Sequence, residues 1–172
     1  MKWILKAVVL SLLLCPVLFA TDPGLHVVKT YKIGGEGWWD YLKLDAETHR
    51  LFISRGTHVI VMDTTNGKQI GEIPDTPGVH GIAFAPEAGR GFTSNGREGT
   101  VSIFDLQTLK PLGKVENVGE NPDAIIYDPA TKRIFTMNGR SHDSTAIDAA
   151  TGKIVGKIPL DGKPEFAVST GA

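Results

Sequence analysis

From about residue 40 onward the chain repeats itself roughly every 42 residues. Leu44 to Ser54, Phe84 to Ser94 and Tyr127 to Met137 align, with Arg50, Arg90 and Arg133 standing 40 and 43 positions apart. Downstream, Asp63, Asp105 and Asp148 recur at 42 and 43, as do Lys68, Lys110 and Lys153, and Gly71, Gly113 and Gly156. A period of this length means a stack of similar structural units, none of which can cover its own apolar faces without a neighbour.

Each unit reads as four short strands. In the first, Asp40 to Leu44 alternates and leads into a turn at Asp45-Ala46-Glu47-Thr48-His49. Leu51 to Ser54, Val59 to Met62 and Gln69 to Ile73 follow, each short, rich in β-branched or aromatic residues, and bounded by Gly, Pro, Asn or Asp. No segment beyond residue 20 holds a 3.6-residue period, so the expected class is all-β. Asp63, Asp105 and Asp148 each end a third strand, and in two units a Gly follows four residues later. A carboxylate there accepts a bond from an amide two residues on, so these acids read as turn formers rather than catalysts.

Four-stranded units of this length arrange radially as the blades of a β-propeller. The first strands agree: Leu42/Ile82/Ile125 and Leu44/Phe84/Tyr127 are large on one face, whereas Tyr41/Gly81/Ala124 and Lys43/Ala83/Ile126 are mixed on the other. Such alternation suits strands crowded near a common axis. The repeat-internal Phe52, Phe92 and Phe135 are expected core.

The amino-terminal stretch is of another kind. Lys2 and Lys6 precede an almost wholly apolar run from Ala7 to Ala20, the pattern of a secretory signal peptide cleaved after Ala20. The run is short for a membrane span, and bulky Leu14 before Cys15 argues against a lipid anchor. The expected location is periplasmic or secreted, with no membrane anchor after cleavage. Cleavage removes the only cysteine, which excludes disulfides and thiolate metal sites. The formal charge of −1, or −3 without Lys2 and Lys6, gives no footprint for nonspecific nucleic-acid binding.

Thr93-Ser94-Asn95-Gly96-Arg97, Ser102-Ile103-Phe104-Asp105, Ala146 to Gly156 and the Asp128-to-Arg133 turn resemble the YVTN-type repeats of exported YncE-like β-propeller proteins. The resemblance spans about residues 24 to 172 and implies a seven-bladed ring, of which about three complete blades are present, an incomplete ring. The expected organisation is a signal peptide over 1–20 and a partial propeller over 21–172. The latter divides into a leading outer strand (24–38), units one (39–79), two (80–122) and three (123–164), and the start of a fourth (165–172). Ile33 stands seven residues before Asp40 as Ile73 stands before His80, which makes His26 to Ile33 a fourth-strand segment. Glu165 to Val168 matches a first strand. The chain is therefore expected to be the amino-terminal part of a longer propeller, or else to self-assemble with another copy.

If strands alternate in direction, one face of the ring gathers the loops between strands two and three and between units. At the first-strand starts stand Asp40, His80, Asp123 and Glu165, with Trp38 and Trp39 beside Asp40. After the second strands stand Arg55, Asn95 and Asn138, followed by Arg97 in one unit and by Arg140, Ser141 and His142 in another. Three readings are open. The polar residues can be turn formers and solvated strand starts. They can form a channel-mouth surface that binds an envelope or extracellular protein or a small polar ligand, which is the functional expectation: an exported, non-catalytic scaffold. Or they can form a calcium or enzyme site resembling propeller lactonases, metal-assisted hydrolases, with Asp40, Asp123, Glu165 and Asn95 as oxygen ligands. No cofactor is expected: Gly34-Gly35-Glu36-Gly37 is a bend rather than a nucleotide fingerprint, and there is no Gly-x-Ser-x-Gly elbow. His49 and His58 read as surface loop residues.

Overall fold

The computed structural model describes residues 24 to 171, so the expected signal peptide lies outside the described residues. Two compact units divide the chain, one ending at Lys32 and one beginning at Ile33. In the first, the described residues form no strand and are exposed apart from the half-buried Tyr31, whose ring has the Lys29 ammonium over it at 4.7 Å.

The second unit holds twelve strands: β1 (Leu42–Asp45), β2 (Arg50–Ser54), β3 (Val59–Asp63), β4 (Gln69–Ile73), β5 (Val79–Ala85), β6 (Arg90–Asn95), β7 (Thr100–Asp105), β8 (Pro111–Val115), β9 (Pro122–Asp128), β10 (Arg133–Asn138), β11 (Asp143–Asp148) and β12 (Ile154–Pro159). They form three four-stranded antiparallel sheets in chain order, one per sequence unit. The expected all-β class and the four-strand units are what the structure shows. The expected strands at residues 26 to 33 and 165 to 168 are not: neither segment is a strand. A strand needs a hydrogen-bonding edge, and among the described residues none pairs with them.

Adjacent sheets pack face to face, β1 and β2 on β5, and β5 and β6 on β9. Between the first and second sheets lie Phe52, Val59, Val61, Ile73, Ile82 and Phe104. Between the second and third lie Ala83, Phe92, Val101, Ile103, Ile125, Ile134 and Ile147. Phe52 and Phe92 are core as expected, whereas Phe135 is only half-buried. The repeat also trades volume within itself. Leu51 pairs with Met62 and Ile134 with Ile147, but at the same position of the second sheet Gly91 pairs with Phe104. A Cβ on Gly91 would enter the Phe104 ring, so the large residue on β7 requires the absent one on β6.

The turn acids behave as expected. Asp63 Oδ1 accepts from the Thr65 amide at 2.8 Å, Asp105 Oδ1 from the Thr108 amide at 2.7 Å, and Asp148 Oδ1 from the Thr151 amide at 2.8 Å. Gly67 and Gly152 take φ of 74° and 73° to close their hairpins, and Leu109 takes 63° in the unit without a Gly there. Hydroxyl bonds from Thr65 and Thr151, and the amide bond from Thr108, hold the three carboxyls below the ordinary aspartate range. A carboxyl with a lowered folded pKa adds stability that is complete above its unfolded pKa and is lost as pH falls through the folded value. Stability to urea is therefore expected to be flat near neutrality and to decline below about pH 4. Thr108→Val and Thr151→Val should flatten that acid limb, measured as the difference in urea midpoint between neutral and acid pH; an unchanged limb would refute the assignment.

A candidate polar site where three blades converge

The site is built in part by irregularities at the starts of β5 and β9, the first strands of the second and third sheets. In the second sheet Val79 pairs with Asn95 and Ile82 with Thr93, so His80 and Gly81 together oppose Ser94. In the third, Pro122 pairs with Asn138 and Ile125 with Thr136, so Asp123 and Ala124 oppose Met137. A bulge of this kind re-aims a side chain that a regular pleat would send elsewhere. The small partners Gly81 and Ala124 fit the crowding: a Cβ on Gly81 would meet Ile125 Cγ2 at 2.8 Å.

Serines of the second strands hold these starts across the sheet boundary. Ser54 Oγ donates to the His80 carbonyl at 2.5 Å, and Ser94 Oγ donates to the Asp123 carbonyl while accepting from the Gly81 amide at 2.9 Å. The two serines occupy the same repeat position, a signal present in the sequence to which no role was attached.

The result is a convergence of Asp40, His80 and Asp123, one from each unit. His80 Nδ1 lies 2.5 Å from Asp40 Oδ2 and 4.0 Å from Asp123 Oδ1. One ligand-type atom from each of the three falls within 4.8 Å of the others. Burial raises the Asp123 carboxyl above the ordinary aspartate range; the His80 charge opposes this, and Asp40 and Glu165 add to it. The same acids, after burial, push the Tyr41 phenol up. Glu165 itself is exposed and pairs with Lys163 at 2.5 Å.

Asp40 and His80 line a cleft of about 620 Å³. Trp38 and Trp39 line it too, together with Arg97, Arg140 and Asn121. The indoles are 81% and 70% exposed, so each still has an open surface to offer. Arg97 and Arg140 make no side-chain ion pair or hydrogen bond among the described residues. Gly56, Gly78 and Gly96 form part of the wall. These glycines and Asn121 were not foreseen as lining residues; Asn121, with φ of 52° just before Pro122, is a turn residue whose position only the fold reveals.

The other expected site residues do not reach the cleft. Asn95 and Asn138 are wholly buried. Asn95 Nδ2 donates to Thr100 Oγ1 and Ser102 Oγ, and Asn138 Nδ2 to the Val118 carbonyl, Asp143 and Thr145. The Asn95 bonds stay within its blade, whereas Asn138 also reaches back to the loop before β9, so both amides are spent on structure rather than turned to the mouth. Arg55 spends its guanidinium on the Glu36 carbonyl at 2.9 Å, and His142 is an exposed residue of the β10–β11 turn.

Successive four-stranded antiparallel sheets, packed face to face with their first strands together, define this chain as consecutive blades of a β-propeller, with the ring not closed. No protein-family model matches it. It is 34% identical over 77 residues to the uncharacterised protein YncE of Salmonella typhimurium, and 32% identical over 77 residues to that of Salmonella typhi. Each match covers 44% of this chain and only 22% of the relative. Among solved structures, hydrazine synthase of Kuenenia stuttgartiensis superposes with a TM-score of 0.69 at 19% identity, over 81% of this chain and 41% of that one. Dihydro-heme d1 dehydrogenase NirN, in complex with DHE, gives 0.56 at 22% identity, over 65% and 24%. The chain is thus YncE-like in sequence over part of its length and a propeller in fold.

Proposed function

We propose that the protein is an exported, non-catalytic propeller scaffold that binds a protein segment or a small polar ligand in the cleft over Asp40 and His80. The observation that carries the reading is the meeting of two exposed indoles with two unpaired guanidinium groups in one concavity. Tryptophan and arginine dominate binding energy where they occur in contact surfaces, because each offers a large area together with directed polar contacts. The propeller fold and the similarity to YncE support a scaffold. The envelope or the cell exterior is where the signal sequence read in residues 1 to 20 would send it.

The test is photo-crosslinking from the position of Trp39 in an envelope extract, comparing the native chain with Trp38→Ala and Arg97→Ala, alongside a thermal-shift screen of polar small molecules. Loss of a hot-spot residue is expected to weaken capture or ligand affinity by about 30-fold. Identical capture by all three chains, with no ligand shifting the melting temperature, would overturn the reading.

A further inference from the structure

The geometry points to a site for one divalent first-row transition ion, with Asp40, His80 and Asp123 as its ligands. Each residue comes from a different unit, His80 and Asp123 at the starts of β5 and β9 and Asp40 two residues before β1, so the site exists only when three units are packed. His80 Nδ1 faces both carboxylates, at 2.5 Å from Asp40 and 4.0 Å from Asp123. Ligand atoms bound to one ion at about 2.0–2.2 Å stand roughly 3–4 Å from each other. The Asp123 contact already lies in that range, and the His80–Asp40 hydrogen bond needs to lengthen by less than an ångström or so when an ion replaces its proton.

One further feature suits a bound ion. The imidazole is held from behind, because a Cβ on Gly96 would lie 2.7 Å from His80 Nε2; only glycine leaves room for the ring. Asn121 Oδ1 borders the same space, at 3.0 Å from that Cβ position. One nitrogen with two carboxylates favours zinc, manganese or cobalt over calcium or magnesium, which take oxygen ligands. Three protein ligands leave coordination positions open, and Asp40 and His80 face the cleft.

The experiment is a titration of the chelator-treated chain with Co²⁺ near neutral pH, read by visible absorption, with Zn²⁺, Mn²⁺, Ca²⁺ and Mg²⁺ as competitors and no other ligand present. Saturation at one equivalent is expected, displaced by Zn²⁺ and not by Ca²⁺ or Mg²⁺. His80→Gln and Asp123→Asn should each weaken it by at least about tenfold, while Glu165→Gln leaves it unchanged. Circular dichroism checks the fold of each variant. Should a variant fail to fold, histidine nitrogen NMR of the native chain decides: Zn²⁺ must move the His80 Nδ1 resonance and leave those of His26, His49, His58 and His142 in place. No saturation at one equivalent, unaltered affinity in both folded variants, a static His80 resonance, or equal competition by Ca²⁺ would each overturn the assignment. The ion site does not depend on the cleft recognising a partner, and the titration reads it separately from the cross-linking experiment.

Discussion

Phe52→Ala is expected to lower the free energy of unfolding by about 3–5 kcal/mol, measured by urea titration followed by far-UV circular dichroism. The ring is fully buried between the first two sheets. It meets Phe84 edge-on at 4.8 Å and lies stacked against Phe104 at 6.0 Å. The Arg50 guanidinium lies 5.4 Å from its centroid. Truncation removes the ring from all three neighbours at once. Two sheets cannot close the void by a single side-chain shift, because both backbones are fixed by their own ladders. In a domain whose whole stability is of order 5–15 kcal/mol, this is a large share. Phe166 is 65% exposed and serves as the control; Phe166→Ala is expected to stay within about 0.5 kcal/mol. A loss under about 1 kcal/mol for Phe52→Ala would mean that the sheets do not pack as described.

Asn95→Ala is expected to cost about 2–4 kcal/mol, although the residue touches no ligand and no apolar core. Its side chain is completely enclosed, accepting from Thr93 Oγ1 at 3.0 Å and donating to Thr100 Oγ1 at 3.0 Å and Ser102 Oγ at 2.8 Å. Removing the amide leaves three buried hydroxyls short of a partner, each costing about 1–3 kcal/mol less whatever an admitted water restores. A double-mutant cycle with Ser102→Ala should show coupling above about 0.5 kcal/mol, since the second truncation removes one of the orphaned groups. Strict additivity would show that the network is not shared.

The repeat made most of the fold legible. Strand positions in the first unit follow from alternation and turn residues, and β4 spans Gln69–Ile73 as read. The turn aspartates were equally legible, because an Asx turn involves neighbours two or three residues apart and its chemistry is local. The bulges at His80-Gly81 and Asp123-Ala124 were not legible. They break the two-residue period by inserting one position, and a single small residue in an alternating strand does not announce which way its neighbours turn. Asn95 and Asn138 misled for a related reason. Each is followed by Gly, the mark of a solvent-facing turn, yet each is the last residue of its strand and points its amide into the blade.

The sequence by itself determined the unit, its four strands and the number of copies, since these rest on periods of two and about 42 residues and on local turn chemistry. It also placed Asp40, His80, Asp123 and Glu165 in register. Only the tertiary structure decided that the first three meet and that Glu165 turns to Lys163. It likewise decided that two arginines stay free beside two indoles while Arg55 is tied to a backbone carbonyl. The physical reason is one of range. Register within a unit is set by hydrogen bonds between adjacent strands, but distance between units is set by how Phe52, Phe104, Ile125 and their neighbours fill the space between sheets, which no single repeat encodes.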